Sequence, residues 1–450
     1  MSLYEKSVEY MENSGISALI AKSNAVLVAF SGGADSTVLL YLLKEYLENK
    51  NIRLAAAHLN HMIRGAEADR DQDFCRNIAE TSSIPFHTKK IDVPALAKEK
   101  NMTVEEAARF ARYEFLSDTA ASIGENTLIA TAHNSTDNLE TVIFNMVRGS
   151  GTVGMGGIAP IRSGRIIRPL LCFSGDEIRE YAKENNIDFV FDSTNADTAY
   201  TRNFVRKNIV PAMRKINPAA EEAVLRLGTI ARSEADLINT EAEKLICREG
   251  IKRKDFEAAH PALRNAALRM LYKKKKGDTD GLSMKNLRQA ADFALSGRGR
   301  LSLPSLTLFS DSDMIGFADE IPAATEEIML TLNGKTVPFG KNFAVAVTNG
   351  KKEPFYDKNI YNLFKQQSAR FDTIYDSIFI RSRRTGDRIL AGGMHKKLKK
   401  LMCDKNVPLR YREELPIFLS GSSIIWVPSV AISDDSKGTD ITMYVFIKKG

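Results

Sequence analysis

Seven residues near the amino terminus have the types and the order of a phosphate-binding loop. Between a short apolar run and a helical pattern the chain reads Ser31-Gly32-Gly33-Ala34-Asp35-Ser36-Thr37. The glycines allow a tight turn whose N–H groups approach an anion, and the start of the following helix adds partial positive charge. Ser31, Ser36 and Thr37 supply hydroxyl donors. Asp35 alone would repel a phosphate, so its presence predicts a Mg²⁺ ion between the carboxylate and the phosphates.

This loop differs from two common nucleotide-binding motifs. It lacks the Gly-Lys-Ser/Thr ending of a Walker A loop, and it is not the G-x-G-x-x-G of dinucleotide-binding folds. It resembles the pyrophosphate-binding loop of the N-type ATP pyrophosphatases, which cleave ATP between the α and β phosphates and adenylate an oxygen of their substrate. The resemblance implies that ATP is bound by this loop and by the end of the second strand, through Ser31, Gly32, Gly33, Ala34, Asp35, Ser36 and His58. A serine–glycine turn without a ligand is the structural alternative.

Acidic and histidine side chains follow the strands expected beside this loop. His58 closes the second predicted strand, and His133 follows the fourth, just before a helix that begins near Ser135. Asp137 and Glu140 share one face of that helix. In a doubly wound sheet the carboxyl ends of neighbouring strands form the nucleotide site. We therefore predict that these side chains meet at one edge of the sheet, with structural histidines and a capped surface helix as the alternatives.

Strand and helix signals alternate through the first half of the chain, which is typical of an α/β fold with a doubly wound parallel sheet. The predicted strands are 26–30, 52–58, 86–91 and 127–132, and the predicted helices are 36–47, 69–81 and 103–123. Ser174, with Glu177 three residues later, is a capping-box start for a further helix that runs to Asn185. The segment 188–191 is a candidate for a last strand.

The character of the chain changes after Pro211. Residues 219–248 carry Ala, Glu, Leu and Arg at helical spacing, and short β alternation begins at Leu301. We predict four sections: an ATP-binding catalytic domain (1–211), a mainly helical domain with a small β appendage (212–350), a linker (351–370), and a basic C-terminal α/β or β domain (371–450).

The positive charge of the chain is concentrated near its carboxyl end. The 450 residues include 63 Lys and Arg and 56 Asp and Glu, whereas residues 381–412 alone contain eleven Lys and Arg and two Asp. Such clustering favours binding to a phosphate backbone over a solvated basic face. Arg112, on a predicted helix, and Arg148, before a Gly-Ser-Gly loop, are candidates for binding such a nucleic-acid backbone in the first domain. The candidates in the basic segment are Arg383, Arg384, Lys396, Lys397, Lys399 and Lys400.

The motifs of the first domain, taken in order, closely resemble those of the tRNA(Ile)-lysidine synthetase family. The resemblance covers residues 24–211 and includes 133–141, 168–171, 192–195 and 201–206, and the segment 381–412 looks like the family's C-terminal substrate-binding domain. In placement and composition, residues 212–350 resemble the family's tRNA-contacting region, so the resemblance implies that they contact tRNA. It implies a ligase that joins free L-lysine to the wobble cytidine of the isoleucine tRNA with a CAU anticodon. The implied reaction consumes ATP with Mg²⁺ and releases AMP and pyrophosphate.

The resemblance also implies roles for single residues. Asp35 would bind Mg²⁺ and Asp137 and Glu140 would bind the lysine; together with His133 they form the implied catalytic set. A lysine amine of pKa ~10.4 is neutral in only about one molecule in a few thousand at pH 7, so a base is needed. Asp35, His133 or Asp137 could serve. The flipped-out cytidine and its phosphates would be held by Asn195, Arg202, Asn203 and Arg206.

Other functions fit the sequence less well. A tRNA 2-thiocytidine synthetase usually needs paired cysteines, and the four cysteines of this chain lie far apart. A glutamine-fed amide synthetase would need an added amidotransferase domain, and a non-catalytic tRNA-binding protein gains nothing from carboxylates that face a phosphodiester. Met1–Glu12 has no signal-peptide core and no membrane segment is expected, so we predict a cytoplasmic protein. A homodimer is kept as one option for its assembly.

Overall fold

The computed structural model describes residues 2–63, 65–190, 204–248, 250–318, 327–340, 342–350, 353–358, 360–369, 378–408, 411–438 and 440–448. The chain divides into two compact units, Met1–Ala235 and Asp236–Gly450. Within the described ranges, no helix has both the length and the apolar character that crossing a bilayer requires.

A six-stranded sheet with helices packed on both faces forms the first unit. Its elements are α1 (Leu3–Asn13), α2 (Ile16–Ile20), β1 (Ala25–Ala29), α3 (Ala34–Leu47), β2 (Arg53–Asn60), α4 (Ala66–Thr81), β3 (Phe86–Lys90), α5 (Val93–Lys100), α6 (Val104–Ile123), β4 (Thr127–Ala130), α7 (Ser135–Val147), α8 (Thr152–Met155), β5 (Ile161–Arg162), β6 (Ile166–Ile167), α9 (Gly175–Glu184), a π-helical turn (Val205–Ile209), α10 (Val210–Ile216) and α11 (Ala220–Glu243), which continues into the second unit. The strand order is β3-β2-β1-β4-β6-β5, and only the edge pair β5–β6 is antiparallel. The predicted doubly wound parallel sheet is confirmed.

Strand β1 shows why the sequence reads as an uninterrupted apolar run there. Val26 and Val28 point into one core with α3 and α9, whereas Leu27 points into a second core with α5 and α6. Successive side chains of a strand face opposite sides of the sheet, so a strand covered on both faces is apolar at every position. This double burial holds the carboxyl end of β1 in place, and the phosphate-type loop begins there.

Two local differences from the expected elements lie at the margins of this sheet. The segment 188–191 is not a strand in its described part, 188–190. Val190 instead donates its N–H to the carbonyl of Gly32 at 2.9 Å, and the apolar side chain of Phe189 packs against the core without joining the ladder. The short hairpin β5–β6 is not expected from the sequence, because strands of two residues carry no detectable alternation.

The second unit begins with helices and a small antiparallel sheet. The helices are α12 (Arg253–Ala258), α13 (Pro261–Lys276) and α14 (Met284–Ser296), and the strands are β7 (Ile246–Cys247), β8 (Gly250–Lys252), β9 (Gly299–Leu303), β10 (Leu306–Ser310) and β11 (Met314–Ala318). The sheet order is β7-β8-β11-β10-β9. Phe256, Leu268 and Tyr272 pack with strand residues such as Ile315 in one core. The helices and the β appendage of this region thus share a single hydrophobic core.

The remainder of the second unit is mostly β. Its elements are β12 (Ile328–Leu330), β13 (Val337–Phe339), β14 (Phe343–Asn349), β15 (Tyr361–Ala369), β16 (Ile378–Arg381), β17 (Arg388–Leu390), β18 (His395–Lys397), α15 (Leu398–Asp404), β19 (Ile417–Ser420), β20 (Ser423–Val427), β21 (Ala431–Ile432) and β22 (Ile441–Lys448). Two sheets, β12-β16-β19-β20-β21 and β13-β14-β22-β15, share a core that includes Trp426, the only tryptophan. Trp426 is 2% exposed in this core.

Part of the predicted linker 351–370 is a strand. β15 pairs with β22 from Tyr361 to Ala369, and β14, placed in the middle domain by the sequence, pairs with the same strand on its other side. β15 is the edge strand of its sheet, so residues such as Lys365 and Gln366 are exposed. The polar composition that suggested a linker is that of a solvated sheet edge.

Candidate active site

The phosphate-type loop is shaped by its own hydrogen bonds. Gly32 has a φ of +86°, and a Cβ atom at this position would lie 3.0 Å from Cys75 Sγ, so a glycine is required. Ser36 Oγ accepts the N–H of Ser31 at 3.2 Å and donates to the carbonyl of Gly33 at 3.0 Å. The loop therefore presents the amino-terminal end of α3 in a preformed turn, as anion binding requires.

The three hydroxyl groups of the loop are not equivalent. Thr37 is fully buried, and its hydroxyl donates to the Gly33 carbonyl at 3.0 Å, so it supports the turn and is not the ligand donor expected from the sequence. Ser31 is exposed and its Oγ lies 3.1 Å from that of Ser36. Ala34 is the first residue of α3, and the space beside Gly33 is open apart from the Ser31 hydroxyl at 3.8 Å.

Asp35 is a half-buried carboxylate with one oxygen engaged. Its Oδ2 accepts a hydrogen bond from Asn134 Nδ2 at 3.2 Å, whereas its buried Oδ1 has no hydrogen-bond partner among the described residues. Burial, followed by the nearby charge of Asp137, raises the pKa of Asp35 to about 6. Both effects disfavour the charged form, and a bound cation would reverse both.

The donor set fits Mg²⁺ held jointly with phosphates. An unpartnered buried carboxylate oxygen is a hard ligand of the kind this ion prefers, and Mg²⁺ is usually bound by one or two carboxylates together with substrate phosphates. Within the described part of the chain, no group of three or more His, Cys, Asp or Glu side chains is arranged to hold a metal by itself. Asp35 is therefore the residue that would hold the ion.

Helix α7 begins beside this carboxylate with a reciprocal cap. Asn134 Oδ1 accepts the N–H of Asp137 at 2.9 Å, and Asp137 Oδ2 accepts the N–H of Asn134 at 3.1 Å. Asn134 is only 4% exposed. The cap explains why the helix starts at the residue that the sequence predicts, and it fixes the orientation of Asp137 at the carboxyl edge of the sheet.

A guanidinium group occupies the space between the two carboxylates of α7. Arg206 donates from Nε to Glu140 Oε1 at 2.5 Å and from Nη2 to Glu140 Oε2 at 3.2 Å, and its Nη2 also lies 3.2 Å from Asp137 Oδ1. Glu140 is 3% exposed. Burial alone would lower the pKa of Arg206, but its hydrogen bond to Glu140 and the two negative charges raise it. The pair Asp137–Glu140 is thus a binding site for a cationic group.

Arg206 lies on the π-helical turn that precedes α10. Pro211 lacks the N–H that would bond the Lys207 carbonyl in a regular α-helix, which favours a widened turn at this point. The resemblance implies that Arg206 helps to hold the flipped-out cytidine and its phosphates, and in this structure its guanidinium contacts the acidic pair. The sequence does not indicate this interaction, because it joins residues 66 and 69 positions apart.

The two histidines of the predicted site have different surroundings. His58 is 6% exposed, and its Nδ1 lies 3.0 Å from the carbonyl oxygen of Phe30, which can only accept, so Nδ1 carries the proton. Burial lowers the pKa of His58, and the hydrogen bond fastens the end of β2 to the residue before the loop. His133 is half-buried at the end of the fourth strand, with its Nδ1 3.0 Å from Thr131 Oγ1.

The structure describes some of the RNA-binding candidates of the first unit but not all of them. Arg112 is exposed, with Nη2 3.5 Å from His61 Nε2, and Arg148 is exposed and stacks over the Phe144 ring at 3.8 Å from the ring centroid. Both side chains are accessible to a partner in solvent, as RNA binding requires. Asn195, Arg202 and Asn203 lie outside the described residues.

The basic segment of the second unit divides into structural and exposed residues. Arg381 is buried and makes two 2.9 Å hydrogen bonds to the carboxylate of Asp387, and Arg383 pairs with Glu413 at 3.0 Å. The side chain of Arg384 is 61% exposed. Four lysines project from β18 and α15 around the buried Leu398, namely Lys396, Lys397, Lys399 and Lys400, and all four are exposed. We name these four residues the lysine cluster.

Two residues beside Asp35 have no role that the sequence alone predicts. Asn134 is one of them, although the order Asn-x-x-Asp before an apolar helix is itself a cap signal. Arg179 lies on α9, pairs with Asp176 at 2.5 Å, and lowers the pKa of Asp35 through its charge. The capping box locates α9 correctly, but it gives no indication that the helix brings a cation to the site.

Comparisons with known proteins identify two domains in the chain and relatives that match it over most of its length. Residues 4–213 match the model of the PP-loop domain, and residues 378–444 match that of the TilS substrate C-terminal domain. The tRNA(Ile)-lysidine synthase of Thermotoga maritima is 34% identical over 429 residues, which cover 92% of this chain and 94% of that protein. The tRNA(Ile)-lysidine synthase of Clostridioides difficile is 32% identical over 441 residues, covering 93% and 94%. With this identity along nearly its whole length, and with both domain models matched in order, the chain belongs to the tRNA(Ile)-lysidine synthase family.

Proposed function

We propose that this protein joins the ε-amine of L-lysine to C2 of the wobble cytidine in the isoleucine tRNA with a CAU anticodon, at the expense of ATP. The observation that carries the proposal is the arrangement of two dissimilar sites at one sheet edge. A phosphate-type loop with a half-buried carboxylate, Asp35, lies beside an acidic pair, Asp137 and Glu140, that already binds a guanidinium group. One site suits ATP and the other suits a substrate with an alkylammonium group.

The reaction would proceed in two steps, adenylation of the cytosine and then transfer of lysine to it. In the first, O2 of the cytosine attacks the α-phosphorus of ATP, and the bond to the bridging oxygen breaks to release pyrophosphate. In the second, the lysine amine attacks C2, the C2–O2 bond breaks, and AMP leaves with that oxygen. The backbone N–H groups at Gly33 and the start of α3 would bind the phosphates as negative charge develops on the leaving group.

Asp35 would hold Mg²⁺ at this position, and that ion when bound would neutralise charge on the pyrophosphate. The amine must lose a proton before or during its attack, and the base is one of Asp35, His133 and Asp137. Asp137 and Glu140 would orient the lysine by replacing their hydrogen bonds to Arg206 with hydrogen bonds to the ammonium group. The lysine cluster and Arg384 would bind tRNA phosphates.

The test uses the purified full-length chain, α-labelled ATP, labelled lysine and the tRNA transcript. Transfer of lysine label to the tRNA in step with AMP release is the expected result. Asp35→Asn should abolish AMP formation, whereas Asp278→Asn, at an exposed carboxylate that pairs with Lys276, should leave it unchanged. AMP formation without lysine transfer would indicate another nucleophile, and tRNA binding without either product would indicate a binding protein. Assembly as a homodimer and location in the cytoplasm remain predictions.

A further inference from the structure

Asn134 reaches both halves of the candidate site with a single buried side chain. Its Oδ1 caps α7 by accepting the N–H of Asp137 at 2.9 Å, and its Nδ2 donates to Asp35 Oδ2 at 3.2 Å. The assignment of the two amide atoms follows from their partners, because an N–H group can only donate and a carboxylate oxygen accepts. The loop after β1 and the start of α7 are therefore joined through this side chain.

Capping alone does not account for an asparagine here. Serine, threonine and aspartate cap helices about as well, because each offers an oxygen to the same backbone N–H group. Of these residues only asparagine accepts with one terminal atom while it donates with the other. An aspartate would direct a second anion at Asp35, and a serine hydroxyl is too short to span the cap and the carboxylate together. The second hydrogen bond is what distinguishes asparagine at this position.

We propose that Asn134 is a positioning residue for the phosphate-activating half of the reaction. It holds Asp35 by Oδ2 and so leaves the buried Oδ1, which has no hydrogen-bond partner among the described residues, directed to the ion and phosphates. The same side chain keeps Asp137 in register with that carboxylate, since it fixes the first turn of α7. This inference rests on the proposed role of Asp35 in Mg²⁺ and pyrophosphate binding.

The test compares two variants. Asn134→Ser keeps an oxygen that can cap α7 and removes the amide group that donates to Asp35. Asn134→Asp keeps the capping oxygen and the shape of the side chain but replaces the amide with a carboxylate. Ser283→Asn is the matched control, because it exchanges the same two residue types at the cap of α14 in the second unit. Each full-length variant is measured for pyrophosphate release across a Mg²⁺ titration, for the KM of L-lysine, and for its thermal unfolding midpoint. Loss of a hydrogen bond to a charged group should reduce pyrophosphate release by about ten- to a hundred-fold at limiting Mg²⁺.

The expected result for both Asn134 variants is a higher half-activating Mg²⁺ concentration with an unchanged KM for lysine and an unfolding midpoint like that of Ser283→Asn. An unchanged Mg²⁺ response would overturn the inference, as would parental activity in Asn134→Asp. A lower unfolding midpoint, together with parallel changes in pyrophosphate release and in the KM for lysine, would show that Asn134 acts only as a helix cap. Asp35→Asn separates the two proposals. If the Asp35→Asn variant still releases pyrophosphate, the proposed role of Asp35 is wrong. If that variant is inactive while Asn134→Ser behaves like the parent, only the proposed role of Asn134 is wrong.

Discussion

Glu140→Gln offers a sharp test of the lysine site, because it removes one charge and almost no volume. Glu140 is 3% exposed and accepts two hydrogen bonds from Arg206, at 2.5 and 3.2 Å. A lysine ammonium group in the same place would lose a charge-assisted hydrogen bond, worth about 1.5–3 kcal/mol. The expected consequence is a fall of about ten- to a hundred-fold in kcat/KM for lysine. The cost in stability should be about 1 kcal/mol or less, because the Arg206 side chain is 41% exposed and water screens the pair.

The assay measures initial rates of lysine transfer over a range of lysine concentrations and, separately, pyrophosphate release without lysine. We expect the first to fall and the second to stay at the parental rate, because the proposed phosphate-binding groups are those of the loop and Asp35. Glu241→Gln is the control, since it neutralises an exposed glutamate that pairs with Lys244 at 2.5 Å. An unchanged kcat/KM for lysine would refute the assignment of Glu140, and equal losses in both assays would show that it serves the first step instead.

Three further predictions concern the loop and the basic segment. Gly32→Ala should destabilise the fold by about 1–3 kcal/mol and weaken ATP binding, because a Cβ at a φ of +86° would meet Cys75; thermal unfolding and ATP titration measure this, and parental values would contradict it. In Mg²⁺-free buffer, burial raises the pKa of Asp35 to about 6 in the folded chain, against 3.8 in the unfolded chain. The free energy of unfolding should therefore fall as the pH rises from about 4 to 6, because the folded chain binds the proton more tightly. At pH 7, Asp35→Asn should be more stable than the parent by at most about 3 kcal/mol. A parent as stable as the variant at pH 7 would refute the buried carboxyl with a raised pKa. Alanine at all four residues of the lysine cluster should weaken the binding of every tRNA alike. The slope of the logarithm of the tRNA-binding constant against the logarithm of salt concentration should fall in magnitude by about 0.7–0.9 for each phosphate that is no longer neutralised. Weaker binding of one tRNA alone would instead indicate base recognition.

Local and periodic features of the chain are predictable from the sequence. The strands β1 to β4 and the helices α3, α4 and α6 follow from apolar runs and helical spacing, and the Ser174–Glu177 box marks α9 correctly, whereas α5 is not among the predicted helices. The glycine-containing loop before α3 is equally predictable, because its function depends on residues that are adjacent in sequence. Apolar periodicity and caps are short-range properties, so one sequence suffices to read them.

Interactions between distant segments are not predictable in the same way. The pairing of β15 with β22 and of Arg206 with Glu140 depends on tertiary structure, and nothing in the local composition indicates either. Asn134 illustrates the intermediate case: its capping role can be read from Asn-x-x-Asp, whereas its bond to Asp35 joins residues 99 positions apart. The roles of functional residues are therefore harder to predict than the elements that carry them.

The most direct test of the central claim is the chemical identity of the product. The full-length chain is incubated with ATP, Mg²⁺, L-lysine and the isoleucine tRNA transcript with a CAU anticodon, and the digested RNA is analysed by mass spectrometry. We predict a lysine–cytidine adduct at the wobble position, formed only when ATP is present, with one AMP and one pyrophosphate released for each adduct. A wobble cytidine that stays unmodified while ATP is consumed, or that acquires sulfur instead, would contradict the proposed function.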